Sequence, residues 1–200
     1  MIITGHSTSL DGFIAGGDDG LERPLGIGGE RLFQWFGDGD TPSRYYPHFR
    51  MSAVSAAVFD EAAARAGAVV SGRRTYDIAH GWGGTGPLPG VPLFVLTHHV
   101  PDSVPAGEPP YTFVTDGIES AVEQARERAA GKDIAIMGAS LVQQCLRAGL
   151  LDELTISLVP VVLGRGVRLL DGLDPGSVTL DLAQVVDAPG VTHLTYRVVK

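Results

Sequence analysis

Up to about residue 150 this chain alternates between short apolar runs and stretches of helical length; beyond it only strand-like runs follow. "SAVSAAVFDEAAARAG" reads as an Ala-rich helix closing at Gly67. "AVV" is a buried strand, and "GRRTYDIAHGW" begins as a helix. "LFVLT" and "YTFVT" are two further strands. "DGIESAVEQARERAAGK" is an amphipathic helix with Ile118, Val122 and Ala125 on one face and Gly131 at its end. "DIAIM" is a strand, and "GASLVQQCLRAGL" a helix closing at Gly149. Then come the long strand "LDELTISLVPVVLG", broken or bulged near Pro160, the short "GVRLL", and two alternating runs joined at "APG". This order predicts an α/β fold: a mixed, mostly parallel sheet with flanking helices, finished by a C-terminal antiparallel hairpin. Neither an internal repeat nor a linker interrupts it, so one domain over residues 1–200 is expected, long enough to bury a core without metal or disulfide.

The N-terminal quarter is less regular. "MIITGHSTSL" reads as the first strand, with polar residues suited to lining a site. "DGFIAGGDDGLERPLGIGG" is a Gly-rich loop without strong helix or strand signals, and long loops of this kind are commonly functional. "GERLFQWF" is a short helix, and "DGDTPSRYYPHFRM" is irregular.

Charge and cysteine content restrict the function. A formal net charge of −8 is wrong for a general nucleic-acid binder, which needs a basic face. The single Cys145 excludes an intrachain disulfide and a cysteine-rich zinc site, and no His or carboxylate spacing suggests another metal. No apolar run approaches the roughly 18 residues of a membrane span, and the start lacks a signal-peptide pattern. A cytoplasmic location is expected.

Against this acidic background two turns stand out. "AVVSGRRTYD" and "IAIMGASLVQQ" share one pattern: apolar strand, glycine, polar residues, helix. Helix starts offer free backbone N–H groups, and glycine lets a phosphate approach the backbone. In parallel sheets such turns share the carboxyl edge, so two on neighbouring strands can hold a pyrophosphate. Arg73, Arg74 and Thr75 add charge and a hydroxyl on one side, Ser140 a hydroxyl on the other. The arginines read equally well as a solvated surface pair. "GGTGPLPG" lacks the Lys and Ser/Thr of a phosphate-binding loop, and G-x-G-x-x-G after a strand is missing.

"TSLDGFIAG" after the first strand, "GRRTYD", "PLFVLT" followed by His98, "GASLVQQCLRAGLLDEL" and "VPVVLGRGVRLL" come in that order over nearly the whole chain. The chain thereby resembles the dihydrofolate reductase-like superfamily, in particular stand-alone relatives of the riboflavin-pathway pyrimidine reductase (deaminase-reductase C-terminal) domain. The resemblance implies a sheet of about eight strands, NADPH across its carboxyl edge, hydride transfer to a small heterocyclic substrate, and a homodimer. Carried over by position, Gly72, Arg73, Arg74 and Thr75 match the turn that grips cofactor phosphates. Thr97 and His98 match the strand end beside the adenosine 2′-phosphate. Gly138, Ala139, Ser140 and Leu141 match the pyrophosphate turn, and Ser7 and Ile14 flank the nicotinamide. The sequence departs from the pattern at Met137-Gly138, where Gly-Gly is usual, and at Ile136, where pyrimidine reductases carry glutamate.

Other residues bear two readings. Asp11, opening the Gly-rich loop, is either a turn former before Gly12 or a catalytic carboxylate beside the hydride acceptor. His6 reads as a core histidine, while His98 is the better ligand. Trp35, Phe36, Tyr45, Tyr46 and Phe49 either pack their own loop down or wall a pocket for a flat ring. Asp152 and Glu153 read as capping or pairing residues at a helix–strand junction. A nucleotide-binding module without turnover remains the alternative to an enzyme.

Overall fold

The computed structural model describes residues 1–200. Twelve strands and four α-helices follow one another along the chain. The strands are β1 (Ile2–Ser9), β2 (Phe13–Gly16), β3 (Thr41–Pro42), β4 (Arg50–Met51), β5 (Ala66–Gly72), β6 (Leu93–Leu96), β7 (Thr112–Val114), β8 (Asp133–Met137), β9 (Glu153–Val159), β10 (Gly166–Arg168), β11 (Thr179–Ala188) and β12 (Val191–Val199). The helices are α1 (Ala53–Arg65), α2 (Arg73–Ile78), α3 (Ile118–Arg128) and α4 (Ala139–Arg147).

An 8-stranded sheet runs β11-β12-β9-β1-β8-β5-β6-β7. From β9 to β7 every neighbouring pair is parallel, and the β11–β12 hairpin joins antiparallel through β12 on β9. The expected mixed sheet and terminal hairpin are both present. Alternation along the strands sorts side chains to two faces. Ala68, Val70, Ile134, Ile136 and Phe94 face α3 and α4, where Val122, Ala125, Leu141 and Val142 complete the largest core. Each Val, Leu, Ile or Phe side chain among these contributes on the order of 1.5–3 kcal/mol when fully buried. On the opposite face Val69, Leu93 and Val95 pack with Tyr76 of α2. Further along, Val159, Val161 and Val191 pack with Leu32, Trp35 and Ala56 of the segment before α1 and of α1 itself.

The structure revises several local expectations. The Gly-rich loop is not structureless: Phe13–Gly16 forms β2, paired antiparallel with β10 some 150 residues downstream. The Arg168 side chain lies over the buried Phe13 ring, 4.4 Å from its centroid. A strand so short, with so remote a partner, leaves no local signature. Residues 29–36 form a 3-10 rather than an α-helix. The irregular stretch after it includes the small β3–β4 pair. α1 ends at Arg65, and Gly67 lies inside β5. There a Cβ would stand 2.2 Å from the Ala129 carbonyl oxygen, so this glycine serves close approach to the end of α3 and not helix termination. α2 stops at Ile78, and the chain leaves it through left-handed φ values at Gly81, Trp82 and Gly83.

Candidate functional site

A cleft of about 1520 Å³ opens along the carboxyl edge of the parallel strands and over the α1 side of the sheet. Ser7, Ile14, Gly72, Arg73, Arg74, Thr75, Thr97, His98, Gly138, Ala139, Ser140 and Leu141 all border it. Positions read from four separate stretches of sequence thus meet in one place, because β6, β5, β8 and β1 are successive neighbours in the sheet.

The two glycine turns touch. β5 and β8 pair through Ser71↔Met137, so Gly72 and Gly138 leave the sheet side by side. A Cβ on Gly72 would lie 3.0 Å from Leu141 Cδ1, and one on Gly138 2.8 Å from Thr75 Oγ1. Gly138 also has φ +106°, which other residues rarely adopt. No side chain caps the start of α4, which leaves Ala139 and Ser140 presenting their N–H groups to the cleft with the positive end of the helix behind them. Phosphates fit this cradle: its floor is backbone, and the glycines keep it open.

The two arginines have different surroundings. Arg73 is fixed by its neighbours: Nε donates to the Asp77 carboxylate at 2.8 and 3.0 Å, and Nη1 to the His99 carbonyl at 2.7 Å and Thr97 Oγ1 at 3.4 Å. Its guanidinium therefore lies at the end of β6, against buried Thr97 and beside exposed His98. Arg74 turns the other way. It pairs with Asp19 at 2.9 Å and donates to the Asp19 carbonyl at 2.8 Å, tying the Gly-rich loop to α2. Both arginines border the cleft, as does Asp19, while Asp77 does not.

On the α1 side, Ser7 Oγ accepts from the Trp35 indole N–H at 3.0 Å, both residues being buried. Phe33, Trp35, Phe36 and Phe59 border the cleft, with Trp35 stacked on Phe36 at 3.9 Å between centroids. Phe49 and Tyr46 pack behind them, and the Tyr46 hydroxyl donates to the Pro87 carbonyl. The aromatic insertion is thus divided between the two readings: its first residues wall the cleft, and its later ones hold that wall in place. Sequence inspection missed His193 and Ser157 here. His193 is buried with both ring nitrogens engaged, by Ser55 at 3.1 Å and Ser157 at 2.9 Å, and burial lowers its pKa. Their separation along the chain left nothing local to find.

Asp11 does not border the cleft. Its carboxylate accepts from the Ser9 hydroxyl at 2.6 Å and from the backbone N–H groups of Leu163 and Gly164 at 3.1 and 2.6 Å. The Ser9 bond, then those of Gly164 and Leu163, hold its pKa down at about 2. A carboxylate ionised at neutral pH and held by three donors braces the loop. The geometry agrees with a turn former more than with a carboxylate in the cleft, and it adds a partner the sequence did not show: Asp11 clips the first loop to the β9–β10 connection. Because the folded pKa lies below the ordinary 3.8, its contribution to stability is fully present above about pH 4 and is lost as pH falls through about 2. Asp11→Asn is therefore expected to lower the unfolding temperature at neutral pH. Its deficit relative to the parent should shrink between about pH 4 and 2. Thermal unfolding across that range checks this, and a constant deficit would assign the loss to something other than ionisation.

Asp152, Glu153 and Cys145 have structural surroundings. Asp152 accepts from the Ile2 N–H at 2.6 Å and pairs with Lys200 at 2.5 Å, and Glu153 pairs with Arg65 at 2.7 Å, matching their expected junction role. Burial pushes the Cys145 thiol up to about 12, which removes it as a nucleophile.

The family model of the RibD C-terminal domain matches residues 1–194. Among curated proteins there is no match. A Shewanella sp. PV-4 protein described as a candidate riboflavin biosynthesis protein superposes over 100% of both chains with a TM-score of 0.75 and 24% identity. A pyrimidine reductase-like protein from Corynebacterium diphtheriae superposes at TM-score 0.63 and 15% identity, over 100% of this chain and 92% of that one. Dihydrofolate reductase from Enterococcus faecalis, solved with NADP(H), superposes at TM-score 0.60 and 15% identity, over 100% of this chain and 97% of that one. At such identities the structural likeness is one of fold.

Proposed function

Because the chain belongs to the RibD C-terminal domain family, we propose that it is an oxidoreductase that binds NADPH across the carboxyl edge of its sheet and reduces a small, flat heterocycle, as a relative of 5-amino-6-(5-phosphoribosylamino)uracil reductase. The observation that carries this reading is the pair of touching glycine turns, with the Arg73 guanidinium held one strand further out beside Thr97 and His98.

When bound, the dihydronicotinamide supplies the hydride. The chain's own residues bind, align and exclude water. The Gly138–Leu141 turn receives the pyrophosphate on backbone N–H groups at the start of α4. Arg73, Thr97 and His98 offer a cation, a hydroxyl and an imidazole to the adenosine 2′-phosphate. At the other end Ser7 and Ile14 border the cleft beside the aromatic wall of Trp35 and Phe36, against which a flat ring stacks. The carboxylates bordering the cleft are Asp19, Glu61 and Glu153. Asp19 is taken by Arg74 and Glu153 by Arg65, and Glu61 lies on α1, away from the carboxyl edge. None of the three is thus an unpaired carboxylate at the carboxyl edge, and the proton that completes the reduction is assigned to solvent in this reading.

Titration with NADPH and NADH, followed by nicotinamide fluorescence, tests the reading. The expected result is tighter binding of NADPH, by about tenfold or more at modest salt. A subsequent screen of pyrimidines and pterins should give oxidation of the bound cofactor. Binding without turnover of any heterocycle would favour a nucleotide-binding module, and binding of neither dinucleotide would sink the proposal.

A further inference from the structure

The middle of the sheet is open on one face. β1 and β8 are its two central strands. On the α3–α4 face Ile2, Ile134 and Ile136 are buried. On the other face Gly5 is exposed, and Ala135 and Met137 are only half-buried. A Cβ on Gly5 would meet nothing within 4 Å except Thr155 of the neighbouring strand. Central parallel strands are normally covered on both faces, so this bare floor is a feature of the cleft.

Two walls flank the floor. Toward β9 and β12, Trp35 and Phe36 pack with Val159 and Val191. Toward β5 and β6, Trp82 and Leu88 pack with Val69, Leu93 and Val95. All four wall residues border the cleft, as do Ala135 and Met137. The bond from the Tyr46 hydroxyl to the Pro87 carbonyl ties the two walls together. Trp82 lies in left-handed backbone, φ 48° and ψ 31°, between Gly81 and Gly83. A bulky residue is strained there, and such strain gathers at functional sites. Its hydrogen bonds run through the backbone alone. Trp35, by contrast, donates its indole N–H to Ser7 and stacks on Phe36. The Trp82 ring is thus a half-buried aromatic surface at the cleft with no aromatic partner in the chain.

Charge decides what kind of ring fits between these walls. The cleft is bordered by four arginines and no lysine. Arg73 and Arg74 belong to the glycine-turn end, and Arg74 is neutralised by Asp19. Arg65 is held by Asp133 and Glu153 at 2.7 Å each. Arg197 is flanked in register by Glu153 and Asp181. Glu153 is level with Ile3, four residues and so roughly 13 Å along the strands from Ser7. Glu61 of α1 is the one carboxylate at the cleft without a cationic partner. A phosphate carried in by a substrate would therefore find no free cation between the walls.

We propose that this slot takes an uncharged planar ring without a phosphate, and that Trp82 is the specificity-determining residue on which the ring stacks, on the side of the floor away from Trp35; this rests on the reductase reading above. The probes are riboflavin and FMN, which share one ring system and differ by a phosphate. They are titrated into protein saturated with NADP+, so that the glycine turns are occupied. Riboflavin fluorescence should be quenched on binding, and FMN should bind about tenfold or more weakly at low salt, the gap narrowing as salt rises. Trp82→Gly suits the left-handed backbone, so it should stay folded and keep its NADP+ affinity while losing about tenfold in riboflavin affinity. Trp82→Phe, which keeps a flat ring, should recover most of that loss. FMN binding as tightly as riboflavin overturns the unphosphorylated class. Unchanged riboflavin affinity in Trp82→Gly, or a parallel loss of NADP+, overturns the role of Trp82. Protein that binds NADP+ but not riboflavin overturns this inference alone, and protein that binds neither overturns the cofactor reading with it.

Discussion

Gly138→Val is expected to lose at least about 100-fold in NADPH affinity while the protein remains folded. The backbone at Gly138 has φ +106°, and a Cβ there would stand 2.8 Å from Thr75 Oγ1. Valine must therefore rotate the turn or displace the start of α2. Either movement takes the N–H groups of Ala139 and Ser140 out of line with a bound phosphate, and the branched side chain intrudes between the two turns. Each charge-assisted hydrogen bond lost is worth about 1.5–3 kcal/mol, so two suffice for the stated effect. Folding should survive, because a strained residue costs about 1–3 kcal/mol against the roughly 5–15 kcal/mol of a typical domain. Circular dichroism with thermal unfolding reports on the fold, and fluorescence titration on affinity. Parental affinity in a folded Gly138→Val protein would move the pyrophosphate away from this turn.

Arg73→Ala should lower NADPH affinity by about 10- to 100-fold and leave NADH affinity nearly unchanged. Its Nε and Nη1 are committed to Asp77, Thr97 and the His99 carbonyl, and no protein group engages Nη2. That arrangement presents a fixed cation at the end of β6, with little side-chain freedom left to lose on binding. Stability should change little, since the side chains of Arg73 and Asp77 are 34% and 41% exposed and such pairs contribute about 0–1 kcal/mol. The decisive quantity is the ratio of NADH to NADPH dissociation constants at one salt concentration. If that ratio is the same in variant and parent, another residue reads the 2′-phosphate. The same change at Arg74, which is tied to Asp19 across the loop, should alter the ratio far less.

Most of the glycine-turn side of the cleft was legible in the sequence. A glycine between an apolar strand and a helix start is a local pattern, and both turns lie where that pattern placed them. Asp11 was legible only in part. Asp-Gly announced a turn, while the carboxylate's partners, Leu163 and Gly164, lie some 150 residues away. Arg73 and Arg74 are adjacent in sequence and look alike there, yet successive positions at a helix start diverge by about 100° around the axis. One guanidinium therefore reaches β6, and the other the Gly-rich loop.

What the sequence determined by itself is whatever repeats over a few residues: period-two runs, apolar helix faces, turn glycines, and hence a mostly parallel sheet with a terminal hairpin. Only the tertiary structure decided that β2 pairs with β10, that β1 parts from β8 after Ile3, and that the His6 Nε2 is buried without a partner. Those features depend on contacts between segments more than 100 residues apart. Their pairing is settled by how all the strands share one sheet, and no window of neighbouring residues carries that information.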